Sequence, residues 1–118
     1  MSSFMLLLHE DPKEYSNLSP AEGQAIVARY MAWWQGLKAQ DKIVHSNKLQ
    51  DEGGRTITRK KGAQVVVDGP YAEAREVVSG YFVIKADSYD EAVQIALTCP
   101  HADRDGRIDV REVEPMRG

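Results

Sequence analysis

Three short runs in this chain are apolar at consecutive positions, where a strand with one wet face would alternate: Phe4-Met5-Leu6-Leu7-Leu8, Val65-Val66-Val67 and Tyr81-Phe82-Val83-Ile84. Successive side chains on a strand point to opposite faces, so each run offers apolar groups to both sides of its sheet. Sheets of this kind need cover twice. Two segments carry helical spacing and caps, and two helices cover one face; the other face needs a partner. A second copy of the chain, packed sheet to sheet through an isologous contact, meets that need, and the sequence therefore predicts a homodimer.

The first helix opens at Ser19, with Pro20 at the first helical position and Glu22 placed to close a capping box. Ile26, Val27, Tyr30, Trp34 and Leu37 then recur at three- and four-residue spacing, and Met31 and Trp33 widen the stripe. The second helix opens at Ser88 with Glu91 three residues on, buries Tyr89, Ala92, Val93, Ala96 and Leu97, and stops at Pro100. Between them, Ile43 to Leu49 and Arg55 to Arg59 read as a hairpin, and Lys60-Lys61-Gly62 turns the chain into Ala63 to Asp68. Val77 to Ala86 reads as a central strand with a possible bulge at Gly80, and Arg107 to Glu114 as the last strand. The resulting order is a ferredoxin-like α+β fold, βαββαβ with an inserted β-hairpin, and residues 1–118 form one domain.

Composition narrows the partners. A net charge of -3 and a pI near 5.6 leave no basic stripe to neutralise phosphates, so no nucleic-acid partner is expected. The single cysteine, Cys99, permits no intrachain disulfide and reads as a small buried hydrophobe. The run Phe4 to Leu8 is too short to span a bilayer and has neither the basic start nor the cleavage site of a secretion signal. A cytoplasmic protein without a membrane partner is the expectation.

The run Val65-Val66-Val67 ends on Asp68-Gly69-Pro70-Tyr71, a buried strand stopped by a carboxylate and a Gly-Pro turn. With Ala72-Glu73-Ala74-Arg75-Glu76 and Gly80-Tyr81-Phe82, this stretch resembles the Asp-Gly-Pro-Phe (DGPF) branch of the YCII-related family, with Tyr71 where phenylalanine is usual. The resemblance covers nearly the whole chain and implies a dimeric α+β barrel. It also implies a histidine on the first helix paired with a carboxylate as a catalytic dyad. By spacing to Ile43-Val44 that position falls near Tyr30, and the helix carries no histidine. The wider family includes dehydrochlorinases of chlorinated aromatics, which implies proton-transfer chemistry. Genes of the branch often lie beside alternative sigma factors, which implies a regulatory role.

The candidate catalytic residues are Asp68, a base or anchor if the strand end desolvates it, and Tyr30, a hydrogen-bond donor or acid. Asp68 has an ordinary competing role as the former of its own turn, and Tyr30 as core. The candidate ligand-binding residues are His9 at the end of the first strand, Trp33, Pro70, Tyr71 and Tyr81. His9, His45 and His101 are too scattered for a metal motif. His101-Ala-Asp103-Arg-Asp105-Gly106 through Glu112 nearly spells an EF-hand loop, but histidine stands at the first ligand position and Val-Glu-Pro115 cannot form the exiting helix. No metal or cofactor is expected. Lys60-Lys61 with Arg55 and Arg59 reads as a solvated edge that discourages aggregation. Two functions follow: a homodimeric enzyme that binds a small organic molecule, with Asp68 at the pocket lip, and a non-catalytic ligand-sensing or regulatory module linked to alternative sigma factors.

Overall fold

The computed structural model describes residues 2–11, 13, 17–51, 53–69, 76–104 and 106–116. Among the described residues six strands and two helices follow one another as β1 (Ser2–Glu10), α1 (Pro20–Ala39), β2 (Ile43–Lys48), β3 (Arg55–Lys60), β4 (Ala63–Asp68), β5 (Val77–Ala86), α2 (Tyr89–Leu97) and β6 (Arg107–Glu112), with a short 3-10 turn at Pro100–Asp103. Four strands form an antiparallel sheet in the order β2-β5-β1-β6, while β3 and β4 pair with each other and, among the described residues, with no other strand. Removing β3 and β4 leaves the ferredoxin-like βαββαβ order, in which β5 separates β1 from β2. The ferredoxin-like α+β class read from the sequence is the fold observed within one chain.

Register explains which side of each apolar run is buried. Phe4 faces Ile84, Leu6 faces Phe82 and Leu8 faces Gly80 across the β1–β5 pair, and on β6 Leu6 and Leu8 meet Val110 and Ile108. These even-numbered positions of β1 lie under the helices, and Phe4, Leu6 and Ile84 are at most 1% exposed. Leu37 of α1 and Ala92, Ile95 and Ala96 of α2 close the core from above, with Cys99 at its edge. Met5, Leu7 and Val83, at the intervening positions, are half-buried on the face no helix covers.

Both helices start as their caps require. Ser19 Oγ accepts from Glu22 N at 3.1 Å and Glu22 returns a carboxylate to Ser19 N at 3.2 Å, a closed capping box. Ser88 Oγ accepts from Glu91 N at 3.1 Å. The buried stripes are narrower than the sequence suggests. Val27 is 61% exposed and Leu97 60%, and Met31 and Val93 also face outward, while Tyr89, half-exposed, still sets its ring edge to face on Phe4; Ile26, Tyr30, Trp33 and Leu37 carry the inner face of α1, and Ile95 joins that of α2.

One expectation about the sheet is overturned. Val65-Val66-Val67 is no buried strand of the main sheet but one arm of the β3–β4 ribbon, with Val66 61% exposed opposite the equally bare Ile57. The hairpin also forms one strand later than expected. The turn expected at Lys60-Lys61-Gly62 does join β3 to β4, with Lys61 and Gly62 both at positive φ, whereas β2 does not pair with β3 and lies beside β5 instead. A three-residue apolar run satisfies a half-covered ribbon as well as a buried strand, so periodicity alone could not separate the two. The molecule measures 47 × 46 × 21 Å, with a radius of gyration of 16.3 Å, where a packed chain of this length has roughly 13–14 Å.

Candidate functional site

The most organised polar constellation lies where α1 crosses the 3-10 turn. Helix α2 ends at Thr98, whose Oγ1 bonds back to the Ile95 carbonyl at 2.6 Å, and Pro100 then starts a tight turn that places His101 under α1. His101 is 1% exposed. Its Nε2 donates to the His9 carbonyl at 2.8 Å, an atom that can only accept, so in the neutral ring Nδ1 is the acceptor. The Tyr30 hydroxyl, projecting from the inner face of α1, sits 2.8 Å from that Nδ1 and donates to it. Helix, turn and first strand thus meet in one chain of hydrogen bonds, Tyr30 to His101 to the backbone of β1.

Gly106 makes room for this chain. A β-carbon there would collide with Nε2 of His101 and stand 2.6 Å from the His9 carbonyl oxygen, so the backbone approaches as closely as a glycine allows.

The outer side of Tyr30 lines a cavity of roughly 190 Å³ together with Ile26, Arg29, Pro100 and Arg104. Arg104 stands close enough to Tyr30 to act on its phenol, and Arg29 holds Asp103 at 3.4 Å. Burial, reinforced by the neighbouring Cys99, pushes the Tyr30 phenol up to about 12, and the nearby Arg104 offsets only part of this. Burial likewise pushes the Cys99 thiol up to about 11. Across the neutral range Tyr30 is therefore a protonated hydroxyl and Cys99 an inert thiol.

The remaining sequence candidates do not converge on this cavity. Trp33 belongs to the core, where its indole meets Phe82 edge to face at 4.9 Å and Nε1 donates to Thr98 Oγ1 at 2.8 Å. Tyr81 lies on the uncovered sheet face, its hydroxyl 2.8 Å from His45 Nδ1 and 3.1 Å from Asn47 Nδ2, which donates to it. The His9 side chain points to that same face, with Nε2 3.0 Å from Asp109 Oδ2 but not aligned for a hydrogen bond. Only the His9 carbonyl serves the Tyr30 chain. Asp68 is not desolvated: it closes the β3–β4 ribbon against Arg55 at 3.1 Å with its side chain 92% exposed. Pro70 and Tyr71 lie outside the described residues.

His101 is the residue that sequence reasoning passed over. The resemblance puts a histidine near Tyr30 on the helix; here a histidine does stand beside Tyr30, but it comes from a turn 71 residues further along the chain. Its one local signal was Cys99-Pro100-His101, a proline stop directly after an amphipathic helix, which leaves the next side chain close to the core. Among the described residues no three His, Cys, Asp or Glu side chains gather as metal ligands do, and Asp109 and Glu112 of the calcium-like segment lie in β6 and cannot wrap an ion.

The fold and the site define a ferredoxin-like α+β domain with a small cavity beside a tyrosine–histidine pair and a second sheet face left open. The chain belongs to the YCII-related domain family, which it matches over residues 2–117. It is also similar to an uncharacterised protein of Rhizobium meliloti (strain 1021), 27% identical over 100 residues that span 79% of this chain and 76% of that one. No helix among the described residues is long and apolar enough to cross a membrane.

Proposed function

We propose that this chain is a homodimeric small-molecule-binding protein of the DGPF branch and that its ligand contacts Tyr30. The observation that carries the reading is the 2.8 Å bond that Tyr30, itself lining the cavity, makes to a buried, backbone-anchored His101. A tyrosine held this way supports proton transfer without a free phenolate. Tyr30 passes its proton to Nδ1 of His101 as its oxygen takes one from the ligand, so the proton count closes and the unfavourable anion never stands alone. Lyase-type or isomerase-type chemistry is compatible with such a relay. Asp68, exposed and paired with Arg55, is a turn and ribbon residue in this reading.

Pairing of two copies through the uncovered sheet face gives Met5, Leu7 and Val83 the cover that one chain lacks. Tyr81 and Asp109 flank Leu7 on that face and enter the contact with it, beside His45 and His9.

A non-catalytic, ligand-sensing role draws support from one observation: a phenol pushed up to about 12 is better suited to holding a ligand by hydrogen bonds than to removing its proton. Turnover separates the two roles. Both place the ligand at Tyr30, and both are tested by a fragment screen followed by NMR mapping on the intact protein. The expected hits shift the backbone amides of Ile26, Tyr30 and Arg104, and Tyr30→Phe weakens them by about tenfold, the worth of one hydrogen bond to a polar ligand. Hits that map instead to Arg55 and Asp68, and weaken in Asp68→Asn, would return the site to the ribbon.

A further inference from the structure

We infer that the ligand of the Tyr30 cavity is a small organic acid bound as its carboxylate anion, an inference that rests on the cavity being a ligand site. Size gives the first limit. At roughly 190 Å³ the cavity is smaller than the ~300–1,000 Å³ of pockets for drug-sized ligands, which suits a single ring or a short chain.

Charge gives the second. Two of the five lining residues, Arg29 and Arg104, are permanently cationic, and none is a carboxylate. Among the described residues, Asp103 pairs with Arg29, and Glu10 acts on Tyr30 through its charge. The Arg29–Asp103 contact is long at 3.4 Å, with the two side chains 57% and 72% exposed, so it holds little free energy and a ligand carboxylate can take the place of Asp103. Arg104 lines the same cavity as Tyr30 and acts on its phenol, whose pKa it lowers. A planar guanidinium fork matches a carboxylate with two parallel hydrogen bonds, which a neutral amide cannot reproduce.

Polarity gives the third. Ile26 and Pro100 add apolar surface to the lining beside the arginines, so the site offers cationic groups and hydrocarbon together. Inorganic phosphate would satisfy the first and waste the second.

Benzoate, benzamide and inorganic phosphate, titrated separately into the intact protein and followed by the amide shifts of Ile26, Tyr30 and Arg104, test this. The expected result is saturable binding of benzoate about tenfold tighter than benzamide, as a charge-assisted pair requires. That margin should disappear in Arg104→Gln and shrink in Arg29→Gln, with benzamide unchanged in both. Equal binding of benzoate and benzamide overturns the anion and leaves the cavity standing as a ligand site. Phosphate binding as tightly as benzoate overturns the organic acid. No shift at these amides with any of the three overturns the anion and the ligand site together.

Discussion

Tyr30 and His101 show how two ordinary residues become a site when the backbone removes their alternatives. His101 has a carbonyl against one nitrogen and a phenol against the other, so its tautomer follows from its neighbours. The arrangement depends on Gly106. Gly106→Ala must displace either the His101 ring or the β1 backbone, and a loss of about 1–3 kcal/mol is expected from overpacking, read as a lower Tm with a changed His101 ring signal in NMR. The pH dependence follows from burial. Tyr30 titrates near 10 when unfolded and about 12 when folded, and Cys99 near 9 and about 11. Between those values the unfolded chain has lost protons that the folded chain keeps, so stability falls as pH rises. The decline should start near pH 9 with Cys99, continue to about pH 12, and leave stability at pH 6–8 untouched by these two groups. Denaturant melts of wild type and Tyr30→Phe at pH 8 and 10.5 check this, with the variant losing less on the way up.

At the scale of elements, the β3–β4 ribbon and the four-stranded sheet obey different rules. Strands β1 and β5 are long, at 9 and 10 residues, and neither is an edge of the sheet. Their apolar runs are therefore part of a core. Strands β3 and β4 have 6 residues each and, among the described residues, one neighbour each, and Arg55, Arg59, Lys60 and Lys61 keep the ribbon wet. Ile57 and Val66 face each other across it at 67% and 61% exposure. The double change Ile57→Thr, Val66→Thr should shift stability by no more than about 0.5 kcal/mol per site, since neither side chain fills a cavity. A drop of several kcal/mol in chemical denaturation would mean that the ribbon is covered in solution. The helix caps were legible in the sequence because they are local: Ser19 and Glu22 lie within one turn, and no tertiary contact is needed for their bonds. The strand pairing was not, because β2 could turn back on β3 or reach β5, and both pairings satisfy the same residues locally.

For the whole molecule, the flat shape and the half-buried Met5, Leu7 and Val83 describe a protein with one face still to cover. Sedimentation of the wild type at micromolar concentration is expected to give a dimer, and Leu7→Glu a monomer, because a carboxylate in the middle of a sheet-to-sheet contact is desolvated without a partner. A wild-type monomer would remove the pairing while leaving the Tyr30 cavity, which is formed within one chain, where it is.

Read in order along the chain, local chemistry was enough to determine the two capped helices, the apolar strands β1 and β5 and hence the ferredoxin-like order, since each depends on residues a few positions apart. The site needed the tertiary structure. Tyr30 and His101 are 71 residues apart, and Asp68 lost its expected burial when β4 took β3 as its neighbour. A side chain's partner and its exposure belong to the packing of distant segments, and nothing in the spacing of near neighbours encodes them.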